Sequence, residues 1–365
     1  MAVLSRSAPH LGVLIDPLTD RAFALGRPPE HAYPHLGPFF RRLGYGVVYF
    51  PPGGIDLATG RVRAWRYSPH GWERGEFPLP RATYNRISQR QLEASPAAGK
   101  LLRRLKARGL LFNPGYLRKD AALRALAAAG VPTPRFAPAH TPDDVLQALA
   151  AWNAVYLKPA EGSLGRGIVF IETARPRGGP SRFDVAANGP PGSPPARARL
   201  SSAALVPFLA RRLRREAYIV QEAVPLARLE GGIADLRVLV QRTAGGWSLT
   251  GAAGRLARAE HVTTHTVRGG RSIPLAAVKE AAGLDERDVA ALARRAAEAV
   301  ERAFGPGYFE FSSDVAVSPC GALSVLEINA KPFPFDEEEI RTLAALRLLD
   351  HALAGSRGTA PAPRQ

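Results

Sequence analysis

The chain has 365 residues, 46% of them hydrophobic and 22% charged, with a formal net charge of +17. That is a globular composition, long enough for two or three domains, with no apolar run of membrane-spanning length and no signal-peptide-like apolar stretch in the first ten residues. The one cysteine, Cys320, excludes an internal disulfide, argues for a reducing, cytoplasmic location, and reads as a turn residue.

The positive charge does not by itself point to nucleic acid. Only six of the 49 basic residues are lysine (100, 106, 119, 158, 279 and 331), and the arginines are scattered apart from Arg211, Arg212, Arg214 and Arg215. Those four follow an apolar helical pattern and read as a solvated face. The balance looks like a general compositional bias, so nucleic acid is not an expected partner. In a chain that writes arginine by default, Lys119, Lys158 and Lys331 stand out, because a compact ammonium and a planar guanidinium do different work.

In chain order, residues 11–15 form a short apolar strand ending at Asp16-Pro17. A helix follows over about 35–43, then a second strand over 46–50. Strand, helix, strand predicts a parallel α/β layer. Residues 53–80 read as a meander, followed by a strand ending in Tyr84-Asn85-Arg86-Ile87 and a basic helix over about 97–108. A strand ends at Asn113-Pro114, with Lys119 just beyond. Helices are expected over 121–129, stopped by Gly130, and over about 142–151. Strands over 155–159 and 168–171 flank Glu161 to Gly167. Residues 173–200, rich in Pro, Gly and Arg, read as an extended, partly mobile surface insertion. After a helix over 202–215 come strands at 218–222, 235–241 and 246–251, a loop with Gly269-Gly270, a helix over 286–304 and a closing hairpin over 308–329. A polar, Pro-rich tail follows about residue 355.

The closing hairpin carries the most chemistry. One strand holds Asp314 among Phe309, Phe311, Val315 and Val317. The other ends in Glu327-Ile328-Asn329. Side chains at i and i+2 share a strand face, so Glu327 and Asn329 point the same way and Asp314 can join them across the hairpin. Two carboxylates and an amide suit Mg²⁺, with phosphates completing its octahedron. Lys158 ends a strand before a loop with Gly162, Gly165 and Gly167, where backbone N–H groups can approach phosphate oxygens. The lysine precedes the loop and no Gly-Lys-Ser/Thr follows, so this is not a Walker A loop. Gln221-Glu222-Ala223-Val224 can read an adenine edge. Asp235, with Glu230 as rival, can accept from ribose hydroxyls. Arg255, with Arg258 and Arg268 as alternatives, can face a transferred phosphate. His261 and His265, in the loop after Arg255, read as facing water.

The ordered set Lys119, Lys158 with its glycine loop, Gln221-Glu222, Asp235-Leu-Arg237, Arg255, Asp314 and Glu327-Ile-Asn329 resembles the ATP-grasp superfamily, in its glutathione-synthetase/RimK-like branch. The nearer resemblance is to the YheC/YheD-type endospore coat-associated ATP-grasp proteins. It rests on Gly71-Trp72, Phe77-Pro-Leu-Pro80, Tyr84-Asn85-Arg86-Ile87, Leu111-Phe-Asn-Pro114, Tyr156-Leu-Lys-Pro159, Gly162-Ser-Leu-Gly-Arg-Gly-Ile168, Tyr218-Ile-Val-Gln-Glu222 and Asp235-Leu-Arg-Val-Leu-Val-Gln241. These extend from about residue 45 to 335. The resemblance implies an α/β (α+β) chain with a Rossmann-like pre-ATP-grasp domain over 1–112 and an ATP-grasp domain over 113–350. The lobes of the latter would be 113–220, containing the 173–200 insertion, and 221–350, with a flexible tail over 351–365.

It further implies ATP and Mg²⁺, with Mn²⁺ as a substitute, and an acylphosphate-forming carboxylate–amine (or thiol) ligase whose acid and amine the sequence does not name. A nucleotide-binding spore-coat structural protein without turnover is the alternative. Spore-coat proteins are then expected partners and the spore coat an expected location. Lys119 and Lys158 would contact the phosphates, with Gly162, Ser163, Gly165 and Gly167 as the lid. Gln221, Glu222, Ala223 and Val224 would hold adenine, Asp235 or Glu230 ribose, Arg255 the γ-phosphate region, and Asp314, Glu327 and Asn329 the metal. The chain departs from the branch in a longer segment between Glu222 and Asp235, and in His265 where an asparagine precedes the Arg-Gly-Gly.

Overall fold

The computed structural model describes residues 9–162, 165–174, 182–190, 193–258, 261–264 and 268–355. Three sheets organise them. The N-terminal sheet contains β1 (Leu11–Leu14), β2 (Val47–Phe50), β3 (Ile55–Asp56), β4 (Arg61–Ser68), β5 (Gly71–Pro78), β6 (Ala82–Asn85) and β7 (Leu111–Phe112). Helices α1 (Pro17–Ala24), α2 (Leu36–Arg42), α3 (Arg90–Glu93) and α4 (Pro96–Ala107) pack around it. Strands β2-β1-β6-β7 run parallel, as the strand–helix–strand reading expects, and β3, β4 and β5 join antiparallel. Helix α1 does not figure in the sequence reading. Asp16 caps it by accepting from the Thr19 amide, with Pro17 in the first turn, the arrangement that starts helices.

The middle sheet has the order β12-β11-β10-β9-β13-β8. Its strands are β8 (Phe136–Ala139), β9 (Ala154–Pro159), β10 (Val169–Ala174), β11 (Arg182–Ala187), β12 (Ala196–Ser201) and β13 (Tyr218–Glu222), with α6 (Pro142–Trp152) and α7 (Ser202–Leu213) against them, while the preceding α5 (Lys119–Ala128) packs into the core of the C-terminal sheet. A capping box between Thr141 and Asp144 starts α6. The 173–200 stretch, expected as an insertion, contributes β11 and β12 to this sheet. Phe183 and Val185 of β11 are buried against α7 residues Leu205 and Leu209. The Pro/Gly/Arg-rich composition hid two strands whose outward positions are polar.

The C-terminal sheet comprises β14 (Arg228–Leu229), β15 (Gly232–Thr243), β16 (Gly246–Leu256), β17 (Arg271–Ile273), β18 (Glu310–Val317) and β19 (Leu323–Asn329), backed by α8 (Leu275–Ala282) and α9 (Glu286–Phe304). Val289, Leu292, Ala293, Ala296 and Val300 of α9 meet Val238, Val240 and Phe311 in one core. The hairpin does not close the fold. Helix α10 (Glu338–Gly355) does: its Ala345, Leu348, Leu349 and Ala352 share a core with Leu11, Val13 and Tyr49 of the N-terminal sheet and with Ile15 just past β1. Cys320 lies exposed in the β18–β19 turn, as expected of a turn residue. Among the described residues no helix is long and apolar enough to cross a membrane.

Candidate active site

A cleft opens between the middle and C-terminal sheets, with a void of about 600 Å³ including its mouth. Strand alternation supplies its walls. Tyr156 and Lys158 share one face of β9, while Val155 and Leu157 turn into the core behind. On the opposite wall, pairing sets Asp235 of β15 across from Arg255 of β16. Asp314 of β18 sits across from Glu327 of β19, beside a register irregularity at Asp314/Val315, the kind of bulge that re-aims a side chain. Glu222, Val224, Val262 and Thr264 also line the cleft.

The charges interlock. The Arg255 guanidinium donates to both Asp235 oxygens at 2.9 and 2.8 Å and reaches Asp314 at 3.1 Å. Thr264 donates its hydroxyl proton to Asp235 at 2.7 Å. Burial works against the charge of Arg255, yet Asp235 and Asp314 hold it firmly protonated. Burial also pushes Asp235 upward against the pull of Arg255. Lys119, at the start of α5, pairs with Glu327. Burial would raise Glu327, but Lys119 and Lys158 keep it below its ordinary value. Lys158 donates to the Gln221 side-chain oxygen, and burial pulls its ammonium down to about 8. Lys119 and Gln221 therefore stand one contact behind the cleft wall.

The 161–167 loop is anchored at both ends of its described part. Gly162 donates its amide to Pro159 at 3.3 Å, and Ala160 accepts from Lys119 at 3.2 Å. Asn188 donates to the Gly165 carbonyl at 3.0 Å. Gly165 (φ 65°) and Gly167 (φ 71°) adopt left-handed backbone that favours glycine. Ser163 and His265 lie outside the described residues.

Of the two carboxylates considered for ribose, Asp235 is in the cleft. Glu230 is not among its lining residues and pairs with Arg271 on an exposed surface. The amides of Glu222 and Ala223 are taken by the carbonyls of Arg135 and Ala154, at 2.8 and 3.0 Å, and Arg135 draws the Glu222 carboxylate aside at 2.7 Å. Val224, next in the chain, lines the cleft. Asn329 follows Glu327 on β19, half-buried opposite Ser312. His261, expected to face water, is buried at 8% exposure. Of the alternatives to Arg255, Arg258 is exposed, and Arg268 is buried and donates to the Gly189 carbonyl. Tyr156, quoted only within the Tyr156-Leu-Lys-Pro159 motif, and Thr264 were not expected as site residues. Tyr156 was detectable two residues before Lys158 on the same face, whereas nothing local marks Thr264.

The donors at the Asp314–Glu327 end are hard oxygens, the kind Mg²⁺ takes. Among the described residues no three His, Cys, Asp or Glu side chains gather as a metal site on their own. Asp314 and Glu327, paired across the hairpin, would supply carboxylate oxygens to such a cation.

The YheC/D-like ATP-grasp family model matches residues 109–354. The chain is similar to the endospore coat-associated protein YheD of Bacillus subtilis (strain 168), 27% identical over 243 residues, covering 64% of this chain and 52% of that protein. It spans about half the length of that relative. Its fold is similar to the ATP-grasp ligase PsnB, solved with minimal precursor, Mg and ADP (TM-score 0.52, 16% identity, 95% and 98% of the two chains). A second likeness is to D-alanyl-alanine synthetase A of Vibrio cholerae O1 biovar eltor str. N16961 (TM-score 0.56, 12% identity, 97% and 100%). A third is to D-cycloserine synthetase DcsG (TM-score 0.52, 16% identity, 94% and 99%). The mixed α/β architecture expected from the motifs is the one observed, and the chain belongs to the YheC/D-like ATP-grasp family.

Proposed function

We propose that this chain is an ATP- and Mg²⁺-dependent ligase that activates a carboxylate as an acylphosphate and joins it to an amine or thiol. The observation that carries the reading is the cleft itself, where Lys158 of the middle sheet faces the wall that holds Arg255, Asp314 and Glu327 together. Cations for phosphates and hard oxygens for a metal meet in one place. In this reading adenine packs by Gln221 to Val224 and Asp235 accepts from ribose. Lys158 holds the phosphates under the 162–167 loop, Lys119 joins it by turning from Glu327, and Arg255 faces the γ-phosphate. Asp314, Glu327 and Asn329 hold Mg²⁺ or Mn²⁺, which when bound offsets charge on the phosphate oxygens. A substrate carboxylate oxygen attacks the γ-phosphorus and ADP leaves. The amine nitrogen then attacks the acyl carbon, phosphate departs with the bond pair, and the nitrogen loses a proton. Positioning and charge neutralisation carry such transfers, with little covalent work for the protein.

The name of the Bacillus relative favours one alternative, a coat-associated protein that binds nucleotide without turning it over. Thermal-shift titration with ATP, with and without Mg²⁺, followed by a phosphate-release screen of acids and amines, separates the two. The ligase reading expects roughly 2.7 kcal/mol of stabilisation at about 100 times the dissociation constant, and phosphate release with at least one acid–amine pair. A Mg²⁺-dependent shift without phosphate release favours the coat reading. No shift at millimolar ATP refutes the nucleotide site.

A further inference from the structure

Lys331 is the third lysine that breaks the arginine habit, and it does not line the cleft. It lies two residues past Asn329 with a 3% exposed side chain. Its ammonium donates to the Ile87 carbonyl at 2.9 Å and the Asn85 side-chain oxygen at 3.2 Å, pairs with the Glu93 carboxylate, and sits 4.3 Å from the Tyr116 ring centroid. All three acceptors follow β6 or belong to it and to α3, in the N-terminal layer. A point charge with three donors suits acceptors grouped around it, and a flat guanidinium fork does not.

The neighbouring backbone is fastened to the same layer. Asn113, fully buried in a left-handed conformation (φ 51°), accepts from the amides of Phe309 and Glu310 at 2.8 and 3.3 Å. It donates to the carbonyls of Glu310, at 3.0 Å, and of Ala330. One side chain thus bridges the first residue of β18 and the residue after β19. Arg86 and Tyr33 both donate to the Pro332 carbonyl, at 2.7 and 3.0 Å.

We infer that Lys331 is a positioning residue: caged by Asn85, Ile87 and Glu93, it fixes the outgoing end of the strand that carries Glu327 and Asn329, so the N-terminal layer sets the geometry of the metal end of the cleft. This rests on the ligase reading above. Groups that orient metal ligands without touching the metal commonly cost about 10–100-fold in metal affinity when lost. A clasp that only joins two layers would cost stability and leave metal affinity alone.

The test measures affinity for ATPγS in EDTA and in Mg²⁺ for the full chain, Lys331→Met and Glu93→Gln. Both variants are expected to bind ATPγS in EDTA within about threefold of the parent, and to lose about 10–100-fold of the gain that Mg²⁺ brings. Where Lys331→Met does not fold, the isosteric Glu93→Gln carries the same comparison. A lowered thermal midpoint with the Mg²⁺ gain intact overturns the inference and leaves a structural clasp. A parent chain with no Mg²⁺-dependent gain refutes the ligase reading, and the inference falls with it.

Discussion

Arg255 neutralises two buried carboxylates at once, Asp235 and Asp314, which are 4% and 8% exposed. Replacing it with methionine keeps much of the volume and removes the charge. A unit pair about 4 Å apart is worth about 4 kcal/mol at an effective dielectric constant of about 20. Breaking a buried pair by deleting one partner typically costs about 3–5 kcal/mol. Arg255→Met should therefore lower the thermal midpoint strongly without nucleotide. The vacated positive position should also make the carboxylates a better cation site, because Mg²⁺ no longer competes with the guanidinium. In differential scanning fluorimetry without nucleotide, Mg²⁺ should raise the midpoint of Arg255→Met more than that of the parent. Parent-like stability, or a variant indifferent to Mg²⁺, would refute the charge balance assigned to this cluster.

Burial draws the Lys158 ammonium down to about 8, so its charge is present below that pH and lost above it. Nucleotide affinity of the free protein should fall by about tenfold per unit as pH rises beyond about 8, and Lys158→Arg, which stays charged, should flatten the profile. Glu327→Gln should abolish Mg²⁺-dependent phosphate release while the chain stays folded. Because the folded state holds Glu327 below its ordinary 4.5, the carboxylate stabilises the fold above that pH, and its contribution fades as pH falls through the lowered value. Acid titration of Glu327→Gln should be correspondingly shallower. A Cβ on Gly232 would sit 2.1 Å from the Ala257 carbonyl oxygen, whereas one on Gly53 meets nothing within 4 Å. Gly232→Ala should cost about 1–3 kcal/mol in denaturant melts, and Gly53→Ala close to none.

The hairpin that carries Asp314, Glu327 and Asn329 was legible because polar residues interrupt an apolar alternation at i and i+2, a pattern that a strand turns directly into a shared face. Lys158 was legible because the chain otherwise writes arginine. Strands β11 and β12 were not: their segment is dominated by Pro, Gly and Arg, and β12 exposes most of its residues, so little apolar alternation marks them. Asp16-Pro17 was read as the end of a strand, although the same pair caps α1, since a residue that leaves one element can also start the next. Glu230 and Asp235 were inseparable by type, and only strand pairing put Asp235 opposite Arg255. The bridging of Arg255 to two carboxylates joins residues 20 and 59 positions away, a partnership that no local pattern encodes. The cage around Lys331 likewise draws on Asn85 and Glu93, well over 200 residues away.

Helix α10 has a consequence for how the chain is made. Its Ala345, Leu348, Leu349 and Ala352 complete the apolar core that Leu11, Val13 and Ile15 begin, so the first strand and the last helix wait for each other. At about 5–20 residues per second, synthesis leaves the N-terminal sheet covered by α1 and α2 but without α10 for tens of seconds, and this core is complete only after residue 352 has cleared the ribosome. Closing a loop of such span is slow by topology alone. The nascent chain therefore keeps the part of that apolar face which α10 covers open through most of its synthesis.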